Sequence, residues 1–135
     1  MVLFGSSAPL IVDVNLVLQY ISLVLLIVGY VKKKPFKTHG NLMVLLLLIT
    51  VSTTVTIMAP RLFITLSSYG QMIFAHVILG ILAMCLGIIF TFRYIRALQN
   101  NTPMICGSKN MMRLALLLWI IPILGGTMAY VTLYL

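Results

Sequence analysis

Residues 71–96 read QMIFAHVILGILAMCLGIIFTFRYIR. From Gln71 to Phe92 no lysine, arginine or acid interrupts the run, and Arg93 and Arg96 follow at once. Coiled as an α-helix at about 1.5 Å per residue, the run reaches roughly 33 Å, enough to cross a hydrocarbon core of about 30 Å. His76, Gly80, Ala83 and Gly87 fall within about 60° of one another on that helix, so one imidazole heads a groove of small residues.

Three similar runs lie outward of it. The first covers about residues 9–31 and the second about 39–59, closed by Pro60-Arg61. The fourth covers about 111–134, with Pro122 expected to kink it. The chain is 62% hydrophobic and only 7% charged, with Asp13 as its single acid. A soluble domain has about a quarter of its residues charged, so lipid must be the solvent here. The fold expected is all-α: an integral membrane, antiparallel four-helix transmembrane bundle, one domain over residues 1–135. The opening MVLFGSSAPLIV has no basic segment ahead of its apolar stretch, the pattern of a first span rather than of a cleaved signal peptide.

The net charge is +8, but the cations cluster at the ends of apolar runs rather than along one face, which argues against nucleic acid and for membrane orientation. Lys32, Lys33, Lys34 and Lys37 fill the first connection, and Arg93, Arg96, Lys109 and Arg113 flank the third. Only Arg61 falls on the other side. The positive-inside rule therefore places both basic connections in the cytoplasm and both termini outside a cell (plasma) membrane. Pro35 should end the first helix, and Thr38 is expected to cap the second. Residues 60–70 read as a loop, and Tyr94 as an interfacial aromatic.

Few residues could carry chemistry. One carboxylate excludes a paired-carboxylate acid–base site, and there is no phosphate-cradling glycine loop and no CxxC. Cys85 within a span and Cys106 in a connection differ in depth by more than the ~7 Å Cα separation a disulfide allows. Two histidines on successive helices suggest bis-His haem ligation, but topology opposes it. His39 stands at the cytoplasmic end, and His76 about 24 Å above the level of Phe92. Axial ligands on one iron lie only ~4 Å apart, twice a metal–nitrogen bond. His39 and His76 thus remain separate, weak candidates for a cofactor, and no metal site is assigned. By depth, Asp13, His76 and Tyr130, with Arg61 or Tyr69, form an outer-side polar cluster in which the expected partner of His76 is Asp13 or another chain. Gly80, Ala83 and Gly87, the inward-facing Asn15, Gln19 and Ser22, and Gly125 with Gly126 are read as helix-packing positions; room for a flat cofactor or lipid tail is the other use of such a stripe. The nine methionines, Met104 among them, are read as gap fillers rather than as a Cu(I) set.

The basic turn running into Lys37-Thr38-His39-Gly40-Asn41-Leu42-Met43, followed by Phe74-Ala75-His76-Val77-Ile78-Leu79-Gly80, resembles a family of small four-helix membrane proteins associated with haem–copper oxidase maturation. The shared pattern is a His with a Met four residues on, then a His with a Gly four residues on. The resemblance implies four spans and a link to respiratory oxidases. Size and composition give a second analogy, to the acid-poor helical subunits of terminal oxidases and copper membrane monooxygenases. The leading expectation is a non-catalytic accessory subunit of such a membrane oxidoreductase complex. Its partners would be other membrane protein subunits and bound lipids, with copper or haem held in those partners. The alternative is a haem- or copper-handling assembly factor for a respiratory oxidase, and a third is a small proton or solute pathway using Asp13 and His76.

Overall fold

A computed structural model describes residues 5, 7–65, 70–103 and 108–135; Tyr69, Met104 and Cys106 lie outside them. The elements are α1 (Leu10–Val31), α2 (Phe36–Thr53), α3 (Ala59–Thr65), α4 (Gly70–Gln99) and α5 (Lys109–Tyr134), with a π-helical turn, Thr54–Met58, joining α2 to α3. No strand occurs among the described residues. Four stretches are long and apolar enough to cross a membrane: Leu10–Val31, Phe36–Ile64, Ile73–Gln99 and Lys109–Tyr134.

The helix ends differ from the apolar runs for physical reasons. Pro35, not Thr38, occupies the N-cap of α2, with extended backbone at φ −69° and ψ 147°. Proline is favourable near a helix start because its missing N–H has no intrahelical acceptor there. The helix does not stop at Pro60 and continues to Thr65, replacing most of the expected 60–70 loop. A proline ring clashes with the carbonyl four residues back and leaves it without a donor. The π turn directly ahead of Pro60 absorbs this, the Ala59 N–H bonding the Thr54 carbonyl five residues back. α4 runs on to Gln99 because charge limits burial in lipid, not helix formation, and Arg and Leu are good helix formers. At the start of α5 the Ser108 side chain accepts from the Met111 N–H at 3.3 Å. Pro122 is buried within that helix.

α1 packs on α2, α2 on α4, α4 on α5 and α5 on α1, closing a ring. The ring is held at mid-height by Leu26, Leu46, Leu47, Ala83 and Trp119. Gly87 belongs to the same layer: a Cβ there would stand 3.0 Å from Leu47 Cδ1 and 3.1 Å from Trp119 Cζ2. Outward-facing positions are apolar on every long helix, for example Val24, Leu48, Ile88 and Leu124, all more than half exposed. At one end Ser7 donates through both its N–H (3.0 Å) and its hydroxyl (3.1 Å) to the Tyr134 carbonyl.

Candidate functional site

The layer around Trp119 separates two cavities, and each histidine lines a different one. His39 and His76 are therefore not brought together.

The first cavity, about 790 Å³ counted out to its open side, sits at the end that carries the basic connections. Its lining includes His39, Met43, Phe90, Tyr94, Met112 and Trp119. His39 lies in the first turn of α2, opposite the end of α1. There it donates through Nδ1 to the Gly29 carbonyl at 2.6 Å. That carbonyl is among the last four of α1, which lack intrahelical donors, so the imidazole caps the helix. Because a carbonyl only accepts, the proton is on Nδ1, and in the neutral ring Nε2 carries the lone pair. Gly29 leaves room for the Met43 Cε methyl, which would have to swing aside for a Cβ there, while the His39 ring would remain at ordinary contact distance, 3.8 Å. Gly40 makes a second close approach: its Cβ would stand 2.1 Å from Tyr94 Cε2. Tyr94, expected as an interfacial aromatic, is buried within the bundle at the level of the first basic connection. Its hydroxyl donates to Asn41 Oδ1 at 2.7 Å, with the Lys37 carbonyl at 3.0 Å. At the same end of the bundle Lys32, Lys33, Lys34, Lys37, Arg93, Arg96, Lys109 and Arg113 are exposed, Lys33 lying 4.1 Å from the Tyr30 ring centroid.

The second cavity is a cleft of about 1480 Å³ counted the same way, lined among others by Asn15, Gln19, Thr50, Arg61, His76 and Gly80. The His76 ring lies over the glycine pair of α5: a Cβ at Gly126 would be 3.4 Å from its Cε1, and one at Gly125 3.8 Å from its Nδ1. Its Nδ1 is buried, and the ring lies against the α5 backbone at Pro122 without a well-formed hydrogen bond from that nitrogen. The expected Asp13–His76 pair is replaced by another. Asp13, 0% exposed, accepts from the Tyr130 hydroxyl at 2.5 Å. Arg61 Nη1 donates to the Tyr134 hydroxyl at 3.5 Å. Gly80 also departs from the packing role expected of it, because a Cβ there meets nothing within 4 Å. Ala83 is buried in the central layer. On α1, Ser22 is fully buried and Gln19 donates to Thr53 Oγ1 at 3.4 Å.

Among the described residues no group of three or more His, Cys, Asp and Glu side chains gathers to hold a metal. The first cavity nonetheless offers one tautomer-fixed imidazole and two thioethers, a soft set of the kind that suits Cu(I) or an axial position on haem. Phe90, Tyr94 and Trp119 give it aromatic walls. Sequence reasoning named His39 and placed Gly29, with Asn15, Gln19 and Ser22, on the inward face of the first helix, but missed the contact between Gly40 and Tyr94, which depends on how neighbouring helices are rotated. Comparison with protein-family models, characterised proteins and solved structures finds no match.

Proposed function

We propose that this chain is a multi-pass protein of the cell membrane that handles haem or copper during maturation of a respiratory oxidase. The bundle is antiparallel, with both termini outside. Asp13 meets Tyr130 and Tyr20 meets Thr127, so α5 is encountered in descending order as α1 ascends; Gly29 meets His39 across the first connection. The apolar exterior supports insertion, since large exposed apolar surfaces on a monomer mark contact with lipid or another protein.

One observation carries the functional reading: the His39 Nδ1–H···O=C bond to Gly29. Histidines that bind metals commonly donate their second nitrogen in this way, which fixes the ring and raises the basicity of the ligating nitrogen. Sequence alone ranks an accessory subunit first; the fixed imidazole in an aromatic, thioether-containing chamber favours ligand handling. The test is titration of the purified protein, in mild detergent, with haem and separately with Cu(I). Stoichiometric binding of one of them is expected, weakened at least about tenfold by His39→Ala and unaffected by His76→Ala. A preparation that binds neither, or a His39→Ala protein that binds as the parent does, contradicts the reading.

The accessory-subunit reading has its own support in α4. Its span has the smallest buried share of the four, 6%, and Phe74, Ile78, Leu82, Cys85, Ile89 and Phe92 form an exposed, uncharged stripe along it. A stable partner subunit retained on native gels would favour that role, and migration of the protein alone would exclude it.

A further inference from the structure

We infer that the end of the bundle with the basic connections is a docking surface for anionic phospholipid, its lysines and arginines holding headgroup phosphates while the acyl chains lie along the apolar exterior. Eight of the nine Lys and Arg residues lie at that end, and all eight are exposed. No acidic side chain neutralises them: the single acid of the chain, Asp13, is fully buried and accepts from Tyr130. The fold gathers these cations at one height. The Tyr94 hydroxyl lies 3.0 Å from the Lys37 carbonyl, which sets the start of α2 against α4 beside Arg93. His39, Tyr94 and Met112 line one chamber, so Arg93 and Arg113 come from neighbouring helices at the same level. The His39 bond to Gly29 brings the end of α1, and Lys32 just after it, against the first turn of α2.

The neighbours of the cations identify the occupant. Val31, Phe36, Phe92, Ile95 and Leu114 each adjoin one of them in sequence, and each is 43–73% exposed. Charge and bare apolar surface therefore lie side by side, as they do where the hydrocarbon of a bilayer gives way to headgroups. An acidic protein segment would meet the charge and leave the apolar side chains uncovered. A phospholipid covers both, with phosphate on the cation and acyl chain on the apolar side chain. Lysine and arginine suit this height because their aliphatic stems follow apolar surface while the charged heads reach outward. Arginine adds paired donors that match two phosphate oxygens. A zwitterionic headgroup brings its own ammonium, which offsets the attraction, so a phospholipid of net negative charge is preferred. The other end has only Arg61, which is partly buried and donates to the Tyr134 hydroxyl, so no such preference arises there. The inference rests on insertion of the four apolar helices in a bilayer and is independent of what the His39 chamber binds.

The full chain is reconstituted in phosphatidylcholine vesicles doped with spin-labelled phosphatidylglycerol or spin-labelled phosphatidylcholine. Electron paramagnetic resonance then gives the motionally restricted fraction of each label. At low salt the phosphatidylglycerol label should associate at least about threefold more strongly than the phosphatidylcholine label. In about 1 M salt, where the Debye length is about 3 Å, the ratio should fall to about 1. The variant Lys32→Gln, Lys33→Gln, Lys34→Gln, Lys37→Gln should lose at least about half of the preference. Arginine at the same four positions should retain it, and Arg61→Gln should leave it unchanged. Inorganic phosphate added at constant ionic strength should not reduce it, because the acyl chains are part of the occupant. Equal association of the two labels with the parent protein overturns the proposal without any variant, and so does a ratio insensitive to salt or to the four glutamines. Loss of the preference to phosphate would mean a site for free anions. Loss to a soluble oligoglutamate at matched ionic strength would mean a surface for an acidic protein segment. Both overturn it. Absence of any restricted component removes the spanning reading and the proposal with it, whereas equal restriction of both labels removes the proposal alone. Haem or Cu(I) titration of the same vesicles reports the His39 chamber separately.

Discussion

A methyl group at Gly40 would fall 2.1 Å from the Tyr94 ring, and at Gly80 it would touch nothing within 4 Å. Gly40→Ala should therefore destabilise the bundle by about 1–3 kcal/mol, since overpacking forces rings off their rotamers. Gly80→Ala should be neutral or stabilising by up to about 1 kcal/mol, through helix propensity. Thermal unfolding followed by Trp119 fluorescence distinguishes the two. Tyr130→Phe removes the hydroxyl that bonds the fully buried Asp13; a loss of about 1–3 kcal/mol is expected by the same measurement, with Tyr20→Phe on the exposed Thr127 contact costing less. These pairs show the limit of reading residues from sequence. Periodicity assigned Asp13, His76 and Tyr130 to one depth, but partners at one depth are selected by helix rotation, which periodicity within a single helix does not encode. For the same reason the stripe Gly80, Ala83, Gly87 reads as one surface although Gly87 touches Trp119 and Gly80 faces the cleft.

The four long apolar helices were legible, because an uncharged run of that length has few arrangements other than a helix with its backbone bonds satisfied internally. α1 differs from its apolar run by one residue at its start. The π turn was hidden. Pro60 is an ordinary stop signal, and nothing local indicates that an extra residue upstream lets the helix pass through it. If Thr54–Met58 does hold that extra residue, deleting the exposed Val55 together with Pro60→Ala should leave a continuous α-helix in the same register. The thermal midpoint of this variant should stay close to that of the parent. Deletion of Leu48, which is similarly exposed, should instead rotate every later residue of α2 by about 100° and abolish the cooperative transition.

At the scale of the molecule, charge and cavities follow the same axis. The chamber that holds His39 is at the end with eight of the nine cations, and the cleft that holds His76 extends to Arg61. On the proposed reading the half with the basic connections, placed in the cytoplasm, handles haem or copper, and the Trp119 layer separates its chamber from the cleft that holds His76. That assignment rests on four spans crossing the membrane alternately, with Lys32–Lys37 and the 100–108 connection inside. Single cysteines at Lys34, Gln71 and Asn101, in a Cys85→Ala, Cys106→Ser background, test it in sealed vesicles with a membrane-impermeant maleimide. The account predicts that Lys34→Cys and Asn101→Cys react only in inverted vesicles and Gln71→Cys only in right-side-out ones. Labelling of Lys34→Cys and Gln71→Cys from the same side would contradict it.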